Sequence, residues 1–180
     1  MTGRARPLPP EQEAAFRAQF DAHADRVFAF LWRLCADRQL AEDLFQETWC
    51  SAAREFGRLD ASRPLLPWLL TTARNHFRMH RRWAWVDVSR WLVGEVSPAV
   101  ADLSPGPELN AQQAQAALRL ERAVQALGDR DREVLLLSLD EALTPAERAA
   151  VLGVSEEAFR QRLHRARKAL ALKVVVEERP

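Results

Sequence analysis

The sequence predicts an all-α fold, two small helical domains joined by a flexible linker. Three observations carry that expectation. Apolar residues recur every three or four positions over most of the chain, the spacing of one face of a helix. Ala, Leu, Glu and Arg dominate, whereas Gly occurs only 6 times and Tyr not at all, a composition of helix formers. Near the middle, residues 92–110 hold three prolines, two glycines and three acids without a base, and the periodicity is lost there.

Residues 1–12 carry three of the prolines and no apolar period, and the predicted disordered tail is bounded at 1–15. A first amphipathic helix follows, with Phe16, Phe20, Ala24, Val27, Leu31 and Leu34 on one stripe. A second is predicted from about Leu40 to Phe56, with a core stripe of Phe45, Trp49, Ala52 and Phe56. At about 100° per residue, Asp43, Gln46 and Glu47 gather on its opposite face. Gly57 and Pro64 break the pattern in "GRLDASRP". The third helix is predicted from about Leu65 to Trp85, with Pro67 in its first turn, where a missing N–H costs little. Its core stripe is Leu66, Leu69, Leu70, Ala73 and Phe77, while Trp68, Thr71, Arg74, Asn75, Arg78 and Arg82 fall on another side. No acid lies between Asp60 and Asp87. These helices form a domain over 16–88, and 89–112 is the predicted linker.

The second domain, 113–173, opens with a helix near Ala111 to Leu127. Gly128 and Asp129 end it and start the next, "RDREVLLLSL". Thr144-Pro-Ala-Glu147 reads as a capping box with Pro at the first helical position, and that short helix stops at Gly153. Ser155 caps the last helix, whose first turn carries Glu156 and Glu157. Residues 174–180 are predicted as a tail.

The chain has 180 residues and a formal net charge of +1. No apolar run is long enough to span a bilayer and the N-terminus lacks a signal peptide's apolar core, so a cytoplasmic protein without membrane insertion is expected. Two cysteines in such a compartment are free thiols, Cys35 in the core and Cys50 on a polar face, exposed or covered by a partner. All basic side chains but Lys168 and Lys173 are Arg, a bias that base composition of a genome also produces.

The stretch "LGVSEEAFRQRLHRARKAL" concentrates charge. On a helix Phe159, Leu163, Ala166 and Leu170 share a narrow apolar stripe, and Arg160, Gln161, His164, Arg165, Arg167 and Lys168 spread over the rest. A short capped helix, a Gly-containing turn and then a basic helix form the pattern of a helix-turn-helix, whose second helix enters the major groove. The bland alternative is a solvated basic face, and the coincidence of caps, turn and basic helix favours DNA.

With those residues in hand, the chain resembles the extracytoplasmic-function (ECF) group of bacterial sigma factors, within the sigma-70 family. "AEDLFQETW" is similar to the acidic helix of their region 2, "WLLTTARN" to the helix that follows, and the basic stretch to the DNA-reading helix of region 4. The resemblance implies a promoter-recognition subunit without enzymatic activity, cofactor or resident metal. It implies that Asp43, Gln46 and Glu47 dock on the coiled coil of the largest subunit of core RNA polymerase, and that region 4 meets the polymerase flap. It further implies that the loop "GRLDASRP" and Arg63, Trp68, Arg74, Asn75, Arg78, Arg81 and Arg82 melt and hold the −10 element of promoter DNA. Cations interleaved with Trp68, Trp83 and Trp85 suit a single-strand surface, although core packing is an equal reading of Trp83 and Trp85. Ser155, Arg160, Gln161, Arg162, His164, Arg165 and Arg167 are implied at the −35 element, with Arg162 and Arg167 on phosphates. The resemblance also implies that the linker threads the polymerase towards its active centre and RNA exit path, with Glu95, Asp102 and Glu108 as anionic points that suit a channel built for RNA. An anti-sigma factor is the implied inhibitory partner.

The chain departs from the family pattern at Met79, where relatives often carry Asp, at Arg148, where Ile is usual, and at Glu157-Ala158, where Gly-Thr is common. Arg148 is expected to bury its stem and keep its head in water. A helix-turn-helix regulator working without polymerase, or a sigma-like interaction module, stays open as an alternative. His76 and His80 have the i, i+4 spacing of two zinc ligands, but Phe77 replaces the Glu of a metalloprotease motif, and the pair reads better as polar residues beside a core stripe.

Overall fold

The structure, a computed structural model, describes residues 9–90 and 111–177; the side chains of 84–90, 111, 112, 114 and 175–177 lie outside that description, as does the stretch containing Glu95, Asp102 and Glu108. The regular elements described are helical: α1 (Pro10–Cys35), α2 (Arg38–Glu55), a 3₁₀ turn at Phe56–Arg58, α3 (Leu65–Arg90), α4 (Ala111–Gln125), α5 (Asp129–Leu139), α6 (Pro145–Leu152) and α7 (Glu156–Glu177). They fall into two compact units divided near Pro98. No described helix is long and apolar enough to cross a membrane.

In the first unit α1, α2 and α3 pack on one another. Helix α1 opens at Pro10, inside the predicted tail. Proline at the first helical position has no N–H to satisfy, and Glu11 and Glu13 complement the positive end of the helix dipole. The helix ends where Ala36 adopts a left-handed conformation (φ 56°) and its N–H reaches the Trp32 carbonyl. Asp37 then caps α2, accepting from the Leu40 N–H at 3.1 Å, which starts the helix two residues before the expected Leu40.

The core seam comprises Val27, Leu31 and Leu34 of α1, Ala41, Leu44, Trp49 and Ala52 of α2, and Leu66, Leu69, Leu70, Ala73 and Phe77 of α3, all buried. Each large aliphatic or aromatic side chain so buried contributes about 1.5–3 kcal/mol relative to an exposed one. The α2 stripe is wider than expected because this helix meets two neighbours. Ala41, Leu44 and Thr48 join it, with the Thr48 hydroxyl donating to the Leu44 carbonyl at 2.7 Å. Phe45 and Phe56 are only half-buried and belong to an aromatic cluster with Phe16, Phe20, Phe28 and Trp49, in which the Phe20 and Trp49 rings lie 4.7 Å apart. Cys35 is half-buried rather than in the core, and Cys50 is exposed.

In the second unit α7 packs against α4, α5 and α6. The end of α4 is closed by Arg132, which donates to the carbonyls of Gln125 and Leu127 (2.9 Å to the latter), placing a cation at the helix C-terminus. The capping box on α6 forms as read. The Thr144 N–H donates to Glu147 Oε2 at 2.7 Å and the Glu147 N–H donates to Thr144 Oγ1 at 3.2 Å. Gly153 ends α6 at φ 67°, a conformation that a side chain would strain. Ser155 Oγ accepts from the Ala158 N–H at 3.2 Å and starts α7.

Two further boundaries differ from expectation. Helix α3 runs to Arg90, past the expected Trp85, whereas α4 begins at Ala111 as read. Helix α7 continues to Glu177 through the predicted tail, since neither Gly nor Pro interrupts it before Pro180. Arg148 also differs. Its head is not in water but donates from Nη2 to the carbonyl of Asp140, the residue that ends α5, at 2.8 Å. That carbonyl also accepts from the Leu143 N–H at 3.3 Å, and its second lone pair serves the half-buried guanidinium.

Candidate functional surfaces

Three surfaces carry the residues singled out in the sequence. The first is the outer face of α2. Asp43, Gln46 and Glu47 are exposed side by side, with Cys50 one step further on. Glu47 is not simply solvated. Its Oε2 lies 3.2 Å from His76 Nδ1 on α3, and His76 Nε2 lies 3.2 Å from Ser51 Oγ back on α2. Arg54 donates to the same hydroxyl at 3.0 Å. The imidazole is mostly shielded (18% exposed) while Glu47 remains 56% exposed, so the network orients the carboxylate and leaves one side of it available. Both ring nitrogens of His76 are thereby engaged with Glu47 and Ser51. Ser51 and His76 were missed as members of this face, because a contact between two helices leaves no local spacing.

The second surface follows α3. Asn75, Arg78, Met79, His80, Arg81, Arg82 and Trp83 are exposed. Trp83 is 60% and Met79 51% exposed, which answers the question of core packing for Trp83. Arg74 does not join them. It is buried (6% exposed), because position 74 lies four residues after Leu70 and three before Phe77, on the core seam itself. Trp68 is half-buried. In the loop before α3, Asp60 accepts from the Ser62 hydroxyl at 2.6 Å and its N–H at 3.0 Å, and lies 3.3 Å from Arg63 Nε. These hydrogen bonds, the Ser62 hydroxyl first, hold the Asp60 carboxyl below its ordinary range. The loop therefore presents the exposed Arg63 from a tied turn.

The third surface is α7. Phe159 and Ala166 are buried and Leu163 and Leu170 half-buried, as the stripe predicted, leaving Arg160, Gln161, Arg162, His164, Arg165, Arg167 and Lys168 exposed. Arg160, Gln161, His164 and Arg165 lie together on one open face of the helix, with Glu157 at its edge. Arg160 donates to Glu157 Oε2 from Nε (3.2 Å) and Nη2 (2.5 Å), and Gln161 Nε2 donates to Oε1 at 3.1 Å. The Arg160 contact, then that of Gln161, lowers the Glu157 pKa, and the same carboxylate raises that of Arg160. Ser155 is exposed, with its hydroxyl engaged as the cap.

Comparison with known proteins shows the family of each unit. The family model for Sigma-70 region 2 matches residues 19–86, and that for Sigma-70, region 4 matches residues 117–170. The RNA polymerase sigma factor CarQ of Myxococcus xanthus is 36% identical over 154 residues, 84% of each chain. The ECF RNA polymerase sigma factor SigL of Mycobacterium tuberculosis is 33% identical over 163 residues, 89% of each chain. Among solved structures, the sigma factor RpoE in complex with the anti-sigma factor NepR from Bartonella quintana superposes with a TM-score of 0.73 over 92% of this chain and 99% of that one; at 21% identity the likeness is one of fold.

Proposed function

The chain belongs to the extracytoplasmic-function group of RNA polymerase sigma factors, which bind RNA polymerase and direct promoter-specific initiation of transcription, and we propose that it divides this work among its three exposed surfaces. Asp43, Gln46 and Glu47 dock on the coiled coil of the polymerase's largest subunit. Carboxylates on an exposed helix face are suited to arginines of a partner, and a pre-oriented Glu47 loses less freedom on docking. The α3 surface holds the melted −10 element, with Arg63, Arg78, Arg81 and Arg82 on phosphates and Asn75 and Trp83 at bases. Arg74 supports that helix from within, and Trp68 contributes the exposed part of its ring. Helix α7 reads the −35 element as duplex through Arg160, Gln161, His164 and Arg165, while Ser155, Arg162 and Arg167 hold phosphates.

The observation that carries this reading is α7. Its apolar stripe is seated on the other helices of its unit, behind a capped short helix and a Gly turn, and its cations all face outward. That is the arrangement by which a helix-turn-helix offers one helix to the major groove. The chain is an initiation factor and not an enzyme; polymerase-dependent action, in the cytoplasm, takes precedence over a regulator that works alone. An anti-sigma factor is its inhibitory partner, covering surfaces that would otherwise compete for polymerase.

Sequencing of transcript 5′ ends after overproduction of the protein tests the reading. New starts preceded by a shared pair of upstream elements are expected. An unchanged set of starts would refute promoter activity and return the chain to an interaction module.

A further inference from the structure

Glu157 places an acid beside Arg160 and Gln161 on the exposed, Arg-rich face of α7. It stands in the first turn of α7, the part of a recognition helix that reaches base edges. Both Glu157 and Arg160 are well exposed, at 62% and 65%, and an exposed pair of this kind adds little to folding stability. Its effect is therefore on the neighbouring side chains of that face. One carboxylate engages two of the four side chains assigned to the upstream element, Arg160 through Nε and Nη2 and Gln161 through Nε2. With that edge of the guanidinium taken, the Nη1 end and the second Nη2 proton stay free for guanine O6 and N7. Phosphates repel a carboxylate, but in the major groove it accepts from an exocyclic amino group, and the acceptors of guanine and thymine reject it.

We propose that Glu157 is a specificity-determining residue: its carboxylate aligns Arg160 beside Gln161 and itself selects a base that presents an amino donor, cytosine N4, next to the guanine taken by Arg160. This inference rests on the reading of α7 as the helix that meets the upstream promoter element. It gives a function to one of the departures from the family pattern, since neither Gly nor Thr supplies an acceptor of that reach and charge.

The test uses holoenzyme reconstituted from core polymerase and wild-type, Glu157→Ala, Glu157→Gln or Arg160→Ala protein. Open-complex formation is measured on every single-base variant of the upstream element, at two salt concentrations. In Glu157→Ala the preference at one base pair falls about tenfold, the discrimination that one good side chain–base contact provides, while promoters with poor upstream elements bind better because a repulsive charge has gone. Glu157→Gln, whose amide also donates, shifts the preference at that position towards adenine. An equal change on every variant with the rank order kept, whether a loss or a gain, would overturn the proposal, reducing Glu157 to a support for the helix terminus or to a simple repeller of phosphate. Wild-type holoenzyme indifferent to every upstream change, with Arg160→Ala equally indifferent, would instead overturn the reading of α7 on which the proposal stands.

Discussion

Reversing Asp43 and Glu47 to Arg separates the α2 face from the fold that supports it. Neither residue belongs to the buried set of that helix, Ala41, Leu44, Thr48, Trp49 and Ala52, so the core is untouched. Asp43 gives up only a 3.4 Å contact with Gln39. Glu47 gives up its pair with His76, and partly exposed pairs of that kind contribute up to about 1 kcal/mol. The folding cost is therefore about 1 kcal/mol, a fall of roughly 4–8 °C in Tm for a unit of this size. Binding is affected far more. Removing one member of a desolvated interfacial charge pair costs about 2–5 kcal/mol, and reversal adds repulsion. Taking the lower figure twice gives about 4 kcal/mol, or ~10³-fold weaker association with core polymerase. The assay is titration of labelled core enzyme with wild-type and doubly reversed protein, with circular dichroism on both. Helical content retained with affinity within tenfold of wild type would refute the argument and make the face a solvated one.

Trp83→Ala is expected to leave Tm nearly unchanged, because the ring is 60% exposed, and to weaken open complexes by about 1–3 kcal/mol if one base stacks on it, read by permanganate footprinting of the −10 region. Arg74→Ala and Arg78→Ala should part company: loss of the buried Arg74 lowers the stability of the first unit by about 1–3 kcal/mol in denaturant unfolding, whereas Arg78→Ala leaves unfolding alone and reduces the salt dependence of promoter binding. Thr144→Ala removes the hydroxyl that accepts from the Glu147 N–H while leaving the backbone N–H that donates to Glu147 Oε2; losing this half of the α6 capping box should cost the second unit about 1 kcal/mol, visible as an earlier melt, without altering which promoters are chosen.

What the sequence made legible was local. The Thr144–Glu147 box, Gly153 at the end of α6, Ser155 at the start of α7 and the Phe159–Ala166 stripe each follow from residues within one or two turns, and each stands in the structure as read. Arg74 was misplaced because its chemistry was allowed to outweigh its position, on the same seam as Leu70 and Phe77, where a long stem can be buried. Prolines suggested a tail where Pro10 in fact begins α1, since the residue that breaks a helix interior suits its first turn. The Glu47–His76–Ser51 line and the seat of Arg148 on the Asp140 carbonyl were not legible at all. Both join residues from separate segments, and only the packing of one helix on another brings them together.

The central claim is that this chain gives core RNA polymerase its choice of promoter. Run-off transcription from a genomic fragment library tests it directly, with core polymerase at fixed concentration and this protein added in increasing amounts. The account predicts transcripts that start at a few defined positions, saturate as the protein saturates the polymerase, and vanish when Asp43 and Glu47 are reversed. Output from core enzyme that is unchanged by the protein would contradict it, whereas starts that survive the reversal would contradict only the assignment of the polymerase contact to the α2 face.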